Sequence, residues 1–100
     1  MIMTMRGLKA GDLSWDGLWR VVAFDIKEVR RGDRDLFRRE LRNLDFYLLQ
    51  QSVWVTPYPC EELIHLLKAE FGLQKQIVYM IVQVIEDDQE LRKHFRLPSG

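Results

Sequence analysis

The chain has a single cysteine, Cys60, among its 100 residues, and other common signatures are also missing. One cysteine cannot form an intramolecular disulfide or a cysteine-built zinc site, and it suits a reducing compartment, so we expect a cytoplasmic protein. His65 and His94 have no His or Cys at a ligand spacing, which argues against zinc. No apolar run approaches the ~20 residues of a membrane-spanning helix, so we expect no membrane association.

The chain also has no excess of charge of either sign, because 15 acidic residues balance 15 basic ones. This balance excludes a uniformly basic nucleic-acid binder, so any electrostatic role must be local. There is no glycine-rich phosphate loop, and Ser52 lacks the flanking glycines of a hydrolase nucleophile. One hundred residues suit a single domain with little material left to enclose a substrate. We therefore expect function at an interface, not in a private pocket.

What is present divides into a lead-in and one domain. Residues 1–14 show no sustained periodicity of apolar residues and predict a flexible lead-in, whereas 15–100 predict the folded domain. Apolar periodicity within the domain predicts strand, helix, strand, strand, helix and strand. The predicted ranges are a strand over 18–26, a helix over 28–44, two short strands within 46–56, a helix over 59–72, a strand over 76–85 and a charged turn or helix over 86–95.

This order is that of the ferredoxin-like split βαβ fold, an α+β class with two helices on one face of an antiparallel sheet. The last strand is apolar on both sides, although a half-exposed strand should alternate with polar residues. Since we expect no third layer, a second copy is the economical cover for the free face, giving a twofold homodimer. The alternative is a groove for another partner. The residues predicted to form the dimer interface are Ile77, Tyr79 and Ile81.

Asp25 is a carboxylate near the end of the otherwise apolar first strand. It suits a strand-end residue that bonds to the next turn and, equally, a functional carboxylate. If two copies meet near it, a pair of Asp25 side chains could hold Mg²⁺ with water, where one carboxylate alone would bind it weakly. Asp25 is therefore the candidate metal ligand and catalytic residue.

An arginine row, Arg30, Arg34, Arg38 and Arg42, recurs every four residues along the first predicted helix, with Arg31 beside it. Such a row could follow a phosphate backbone, so these five arginines are the candidate nucleic-acid contacts. The alternative is a solvated helix face whose arginines pair with interleaved acids such as Glu28.

Several of these segments together resemble a known family. The segments are Trp15-Asp16-Gly17, the strand from Trp19 to Ile26 with Asp25, the arginine-rich helix, and Gln50-Gln51-Ser52-Val53-Trp54. They resemble the CRISPR-associated Cas-two family, especially the branch shared with the Cas-two-like domain of PaaX transcriptional repressors. By this resemblance, which covers about residues 15–85, Asp25 matches the metal-associated aspartate and Arg30 or Arg31 the early basic positions. Ser52 and Trp54 match the Ser-Val-aromatic motif.

The resemblance implies a homodimer that bridges the Cas-one integrase and holds double-stranded DNA during spacer acquisition. Several family members are described as metal-dependent endonucleases, so the resemblance also implies Mg²⁺ and leaves open whether this chain is an active hydrolase. The PaaX branch implies the alternative of a regulatory domain that acts by dimerising. The charged segment 86–100 departs from the many relatives that end in a strand paired with the opposite protomer.

Overall fold

The computed structural model describes residues 15–98, so the predicted lead-in over 1–14 lies outside the described residues. The elements follow the predicted order, and a short helix confirms the expectation for the charged segment after the last strand. Their bounds are β1 Trp19–Phe24, a 3-10 turn Glu28–Arg30, α1 Arg31–Asn43, β2 Tyr47–Gln50, β3 Val53–Thr56, α2 Glu61–Phe71, β4 Ile77–Val82 and α3 Gln89–His94. Within residues 15–98 no helix is long and apolar enough to cross a membrane.

The two longer helices begin and end where local chemistry favours it. Acidic Asp33 lies in the first turn of α1 and basic Arg42 in the last, which suits the helix dipole. Glu61 and Glu62 begin α2 in the same way. Gly72 ends α2 in the left-handed conformation, with φ of 65°, which glycine adopts without a Cβ penalty.

The four strands form one antiparallel sheet in the order β2-β3-β1-β4, which confirms the ferredoxin-like architecture. β1 lies inside the sheet and pairs with β4 along its whole length, from Trp19 opposite Val82 to Phe24 opposite Ile77. β2 and β4 are the edge strands. The pairing of β2 with β3 is interrupted between Leu48 and Gln50, where the register shifts.

The helices α1 and α2 cover one face of the sheet, as predicted. Phe37 and Leu41 of α1 and Ile64 of α2 pack on the sheet residues of that face, which include Val22, Phe24, Trp54 and Ile77. Ile77 is 1% exposed in this core, and Tyr79 packs against it. The prediction that Ile77 and Tyr79 lie on the free face is therefore wrong, because their side chains are on the face that the helices cover.

The second face of the sheet, opposite α1 and α2, is not bare. Trp19 and Val21 of β1 and Val55 of β3 are buried there under residues of the chain's C-terminal segment. These covering residues are Leu91, Phe95 and Leu97. The expectation that the chain has no third layer is wrong, because α3 supplies one over part of this face. The uncovered remainder includes Val78 and Met80, which are 51% and 37% exposed.

A buried arginine fastens the start of the domain to the sheet. The Arg20 side chain is 5% exposed and its guanidinium bonds both carboxylate oxygens of Asp16, at 3.0 and 2.7 Å. It also donates to the carbonyls of Leu18 and Pro57. The Arg20 hydrogen bond is the main cause that lowers the pKa of Asp16. This pair holds the segment before β1 against the loop that follows β3.

Candidate functional site

Asp25 follows the last residue of β1, and the sheet fixes its backbone. Its amide donates to the carbonyl of Gln76 at 3.0 Å, which continues the β1–β4 ladder by one residue. The side chain is exposed and lines an open depression of about 440 Å³. The depression is lined by Ala23, Phe24, Asp25, Lys27, Lys75, Gln76 and Val78. Asp25 therefore has the strand-end position expected from the sequence, next to the uncovered part of the second face.

The surroundings of Asp25 do not make a divalent-metal site within one chain. Mg²⁺ needs several oxygen ligands in octahedral geometry, whereas the lining of this depression includes one carboxylate, that of Asp25, and two lysines, Lys27 and Lys75. Across residues 15–98, no three His, Cys, Asp or Glu side chains converge as metal ligands. A magnesium site at Asp25 would need the second carboxylate of another copy, and it stays a prediction.

Three members of the arginine row, Arg34, Arg38 and Arg42, lie on α1 as predicted, whereas Arg30 lies in the 3-10 turn just before it. All four have partners within the chain. Arg30 bonds Asp33 at 2.9 Å and donates to the carbonyls of Phe71 and Gly72, which joins the start of α1 to the end of α2. Arg34 lies 3.3 Å from Glu28, which also pairs with Arg31 at 3.3 Å.

The other two members of the row contact the β2–β3 hairpin. Arg38 donates to the carbonyl of Gln51 at 3.3 Å, and the Arg42 guanidinium lies 5.6 Å from the centre of the Trp54 ring. These contacts favour the solvated-face alternative, because each guanidinium already has an acid, a carbonyl or a ring beside it. Binding of nucleic acid by the row stays a prediction.

Ser52 and Trp54, the two motif residues, have structural positions in the hairpin. The carbonyl of Ser52 accepts the amide of Phe24 at 3.2 Å, which ties the β2–β3 turn to β1. Trp54 is 1% exposed in the core under α1 and α2. Its indole Nε1 has no hydrogen-bond partner among the described residues. The structure therefore gives Ser52 a role in backbone hydrogen bonding and Trp54 a role in core packing.

Cys60 lies at the start of α2 and contacts β4. Its Sγ is 3.8 Å from the hydroxyl of Tyr79, and burial raises the pKa of the thiol to about 11. The thiolate, which is the reactive form, is therefore scarce at neutral pH. Burial also raises the pKa of the Tyr79 phenol. Cys60 is a packing residue, as its sequence context indicates.

A run of exposed apolar residues follows β4. Val78, Met80 and Ile81 are each more than a third exposed, and Val84 just beyond the strand is 80% exposed. Sequence reasoning recognised that β4 is apolar on both sides but missed Val78 and Met80 as its free residues. The alternation of the strand was visible, but nothing in an uncharged strand shows which alternate set faces the helices.

Comparison with known protein families agrees with this architecture. The family model of the PaaX protein central Cas2-like domain matches residues 12–95. Since the match spans most of the 100 residues, the chain belongs to the family of PaaX central Cas2-like domains. No match was found among curated proteins or among solved structures. The family match confirms the Cas-two-like part of the resemblance, and an association with CRISPR stays a prediction.

Proposed function

We propose that this domain is a self-association module of a PaaX-type transcriptional regulator. The chain belongs to the PaaX family of Cas2-like domains, and the observation that carries the proposal is the contrast between its arginine row and the exposed side chains of β4. The charged side chains of the arginine row have partners inside the chain, whereas Val78, Met80 and Ile81 of β4 are apolar and exposed. Exposed apolar surface of this kind is typical of protein–protein interfaces.

The module would act by bringing two copies together in a fixed orientation. A twofold pair of domains would set the distance between the DNA-binding parts of two regulators, and would thereby determine the spacing of the half-sites they read. In this function the domain itself contacts little DNA, which agrees with its zero net charge. It would act in the cytoplasm, where the DNA is accessible.

A CRISPR adaptation scaffold is the second candidate, favoured by the exposed strand-end position of Asp25. In this function a homodimer bridges the Cas-one integrase and holds double-stranded DNA, and paired Asp25 carboxylates would bind Mg²⁺ for an endonuclease activity. Incubation of the protein with duplex DNA and Mg²⁺ tests the activity. Cleavage that disappears in Asp25→Asn and persists in Lys75→Ala would support it, whereas equal cleavage by Asp25→Asn would exclude Asp25 as the catalytic residue.

Oligomeric state tests the proposed module most simply. We expect sedimentation equilibrium to give a dimer at micromolar concentration, with the monomer regained on dilution. A monomer at every concentration up to about 1 mM, which corresponds to less than about 4 kcal/mol of association, would contradict self-association. Binding to a purified Cas-one integrase, measured in the same instrument, would favour the second candidate over the first.

A further inference from the structure

The two edge strands of the sheet differ in how they resist pairing with another strand. β2 has four residues, and its ladder is broken by the register shift between Leu48 and Gln50. β4 has six residues in unbroken register with β1. From Ile77 to Ile85 the chain contains no charged residue, proline or glycine. Natural edge strands are commonly protected by charges, prolines or bulges, and β4 has none of them.

The backbone phase of β4 shows which of its groups point outward. In an antiparallel pair, hydrogen-bonded and non-hydrogen-bonded residue pairs alternate. The amide of Asp25 donates to the carbonyl of Gln76, so Asp25 and Gln76 are a hydrogen-bonded pair. Val78 and Met80, two and four residues further along β4, therefore also form hydrogen-bonded pairs with β1. The amides and carbonyls of Tyr79 and Ile81 therefore point away from the sheet.

The start of the strand is already closed on this outer side. The amide of Ile77 has the same outward phase as that of Tyr79, but it donates to the carbonyl of Leu73 at 3.2 Å. Tyr79 and Ile81 thus form a two-residue outer edge with four unpaired backbone groups among the described residues. Ile81 is 47% exposed on one side of this edge, and Val78 and Met80 are exposed on the other.

We propose that the outer edge of β4 pairs antiparallel with β4 of a second copy. The inference rests on the proposed self-association and specifies the surface used. The register that satisfies all four outward groups places Tyr79 of each copy opposite Ile81 of the other, with the two Met80 residues at the twofold axis. The two four-stranded sheets then form one continuous sheet of eight strands.

The charges at the two ends of β4 identify a second copy as the occupant. Lys75 precedes the strand, and the acidic residues Glu86 and Asp87 follow it. In an antiparallel pair the basic end of each strand faces the acidic end of the other, and the uncharged middle pairs with itself. β4 is therefore complementary to its own reversed copy in charge and in apolar character.

This arrangement has a consequence for Asp25. Asp25 pairs with Gln76, which is four residues from Met80 at the twofold axis. The same spacing applies in the second copy, so the two Asp25 backbones would be separated by roughly eight residues of strand, or about 27 Å. Two carboxylates at that distance cannot share one Mg²⁺. Edge pairing and a paired-carboxylate metal site are therefore mutually exclusive.

Two lysine substitutions distinguish the edge from the second face. Ile81→Lys introduces a charge on the outer edge on the helix side, and Ala23→Lys introduces one on the second face in the interior strand β1. Both positions are partly exposed, so both variants should fold, and circular dichroism checks this. We expect Ile81→Lys to raise the dimer dissociation constant about tenfold or more and Ala23→Lys to change it less than about threefold.

Sedimentation equilibrium of the full chain and both folded variants gives the outcomes. Weakening by Ile81→Lys alone supports pairing through the edge. Weakening by Ala23→Lys alone, or equal weakening by both, overturns edge pairing and leaves self-association through the second face. A dimer that neither variant weakens also overturns it. A monomeric wild-type protein overturns the proposed function together with this inference, and would leave the edge to a strand of another protein.

Discussion

Helix α1 and strand β4 are the two most different surfaces of this domain. α1 and the turn before it are rich in charge, yet each arginine of the row has a partner within the chain, such as Asp33 for Arg30 or Glu28 for Arg34. β4 has no charge at all, and its outer edge has no partner among residues 15–98. The comparison shows that a conspicuous pattern of charge can have its partners within the chain, while exposed apolar side chains lie along an inconspicuous strand.

The largest expected effect separates the buried start of β4 from its exposed end. Ile77→Asp would place a carboxylate without a partner in the core under α1 and α2, which should cost about 4 kcal/mol or more of unfolding free energy. The matched variant Ile81→Asp lies on the same side of the strand at 47% exposure and should cost less than about 1 kcal/mol. Urea denaturation measures both. Equal losses would show that the assignment of Ile77 to the core is wrong.

The two faces of β4 mark the limit of what the sequence could predict. Element order, helix ends and the ferredoxin-like class follow from periodicity and capping residues such as Gly72. Which side of β4 is buried does not follow, because both of its alternate residue sets are apolar. The third layer could have been found, since Leu91 and Phe95 recur four residues apart, the spacing of one helix face. Their charged neighbours obscured the signal.

The candidate site was predictable in position but not in surroundings. An aspartate at the end of an apolar strand is visible in the sequence, and the structure places Asp25 there. Lys27 and Lys75 line the same depression although 48 positions separate them (75 − 27), so only the pairing of β1 with β4 brings them together. The partners of the arginine row are likewise set partly by tertiary contacts, such as that of Arg38 with Gln51.

A medium effect on the unfolding free energy is expected for the pair of the buried Arg20 with Asp16. It gives a reference value against which the more exposed pairs of the arginine row can be compared. Asp16→Asn removes the carboxylate from Arg20 and should cost about 1.5 kcal/mol at pH 7, because Asp16 is half exposed and Arg20 keeps two carbonyl acceptors. Arg20 lowers the pKa of Asp16, so its contribution is complete above the ordinary carboxyl pKa of about 3.9 and is lost as the pH falls through the lower folded value.

Stability against pH therefore distinguishes this pair from a purely structural contact. Denaturation of the wild type and Asp16→Asn from pH 7 to pH 2 should show a difference that is constant above about pH 5 and shrinks toward acid. A difference that stays constant down to pH 2 would contradict an ionic role for Asp16.

The smallest effect is expected in the arginine row. The double variant Arg34→Ala and Arg38→Ala should change unfolding free energy by less than about 1 kcal/mol and leave the salt dependence of DNA affinity unchanged. Arg92→Ala is the matched control, since Arg92 of α3 lies outside the row and pairs with Asp88, the residue before that helix. If both arginines contact phosphates, the slope of log affinity against log salt should flatten by about 2 per protomer engaged, which would restore a direct DNA role.

Cysteine cross-linking at Met80 tests the central claim, self-association through the edge of β4, most directly. In the proposed register the two Met80 residues form a non-hydrogen-bonded pair with Cα atoms about 4.5 Å apart, within the range that a disulfide spans. Met80→Cys should therefore give a covalent dimer on mild oxidation at micromolar concentration. Wild type, whose thiol at Cys60 is buried, and Ala23→Cys should stay uncross-linked. A covalent dimer of Ala23→Cys with none of Met80→Cys would contradict the account.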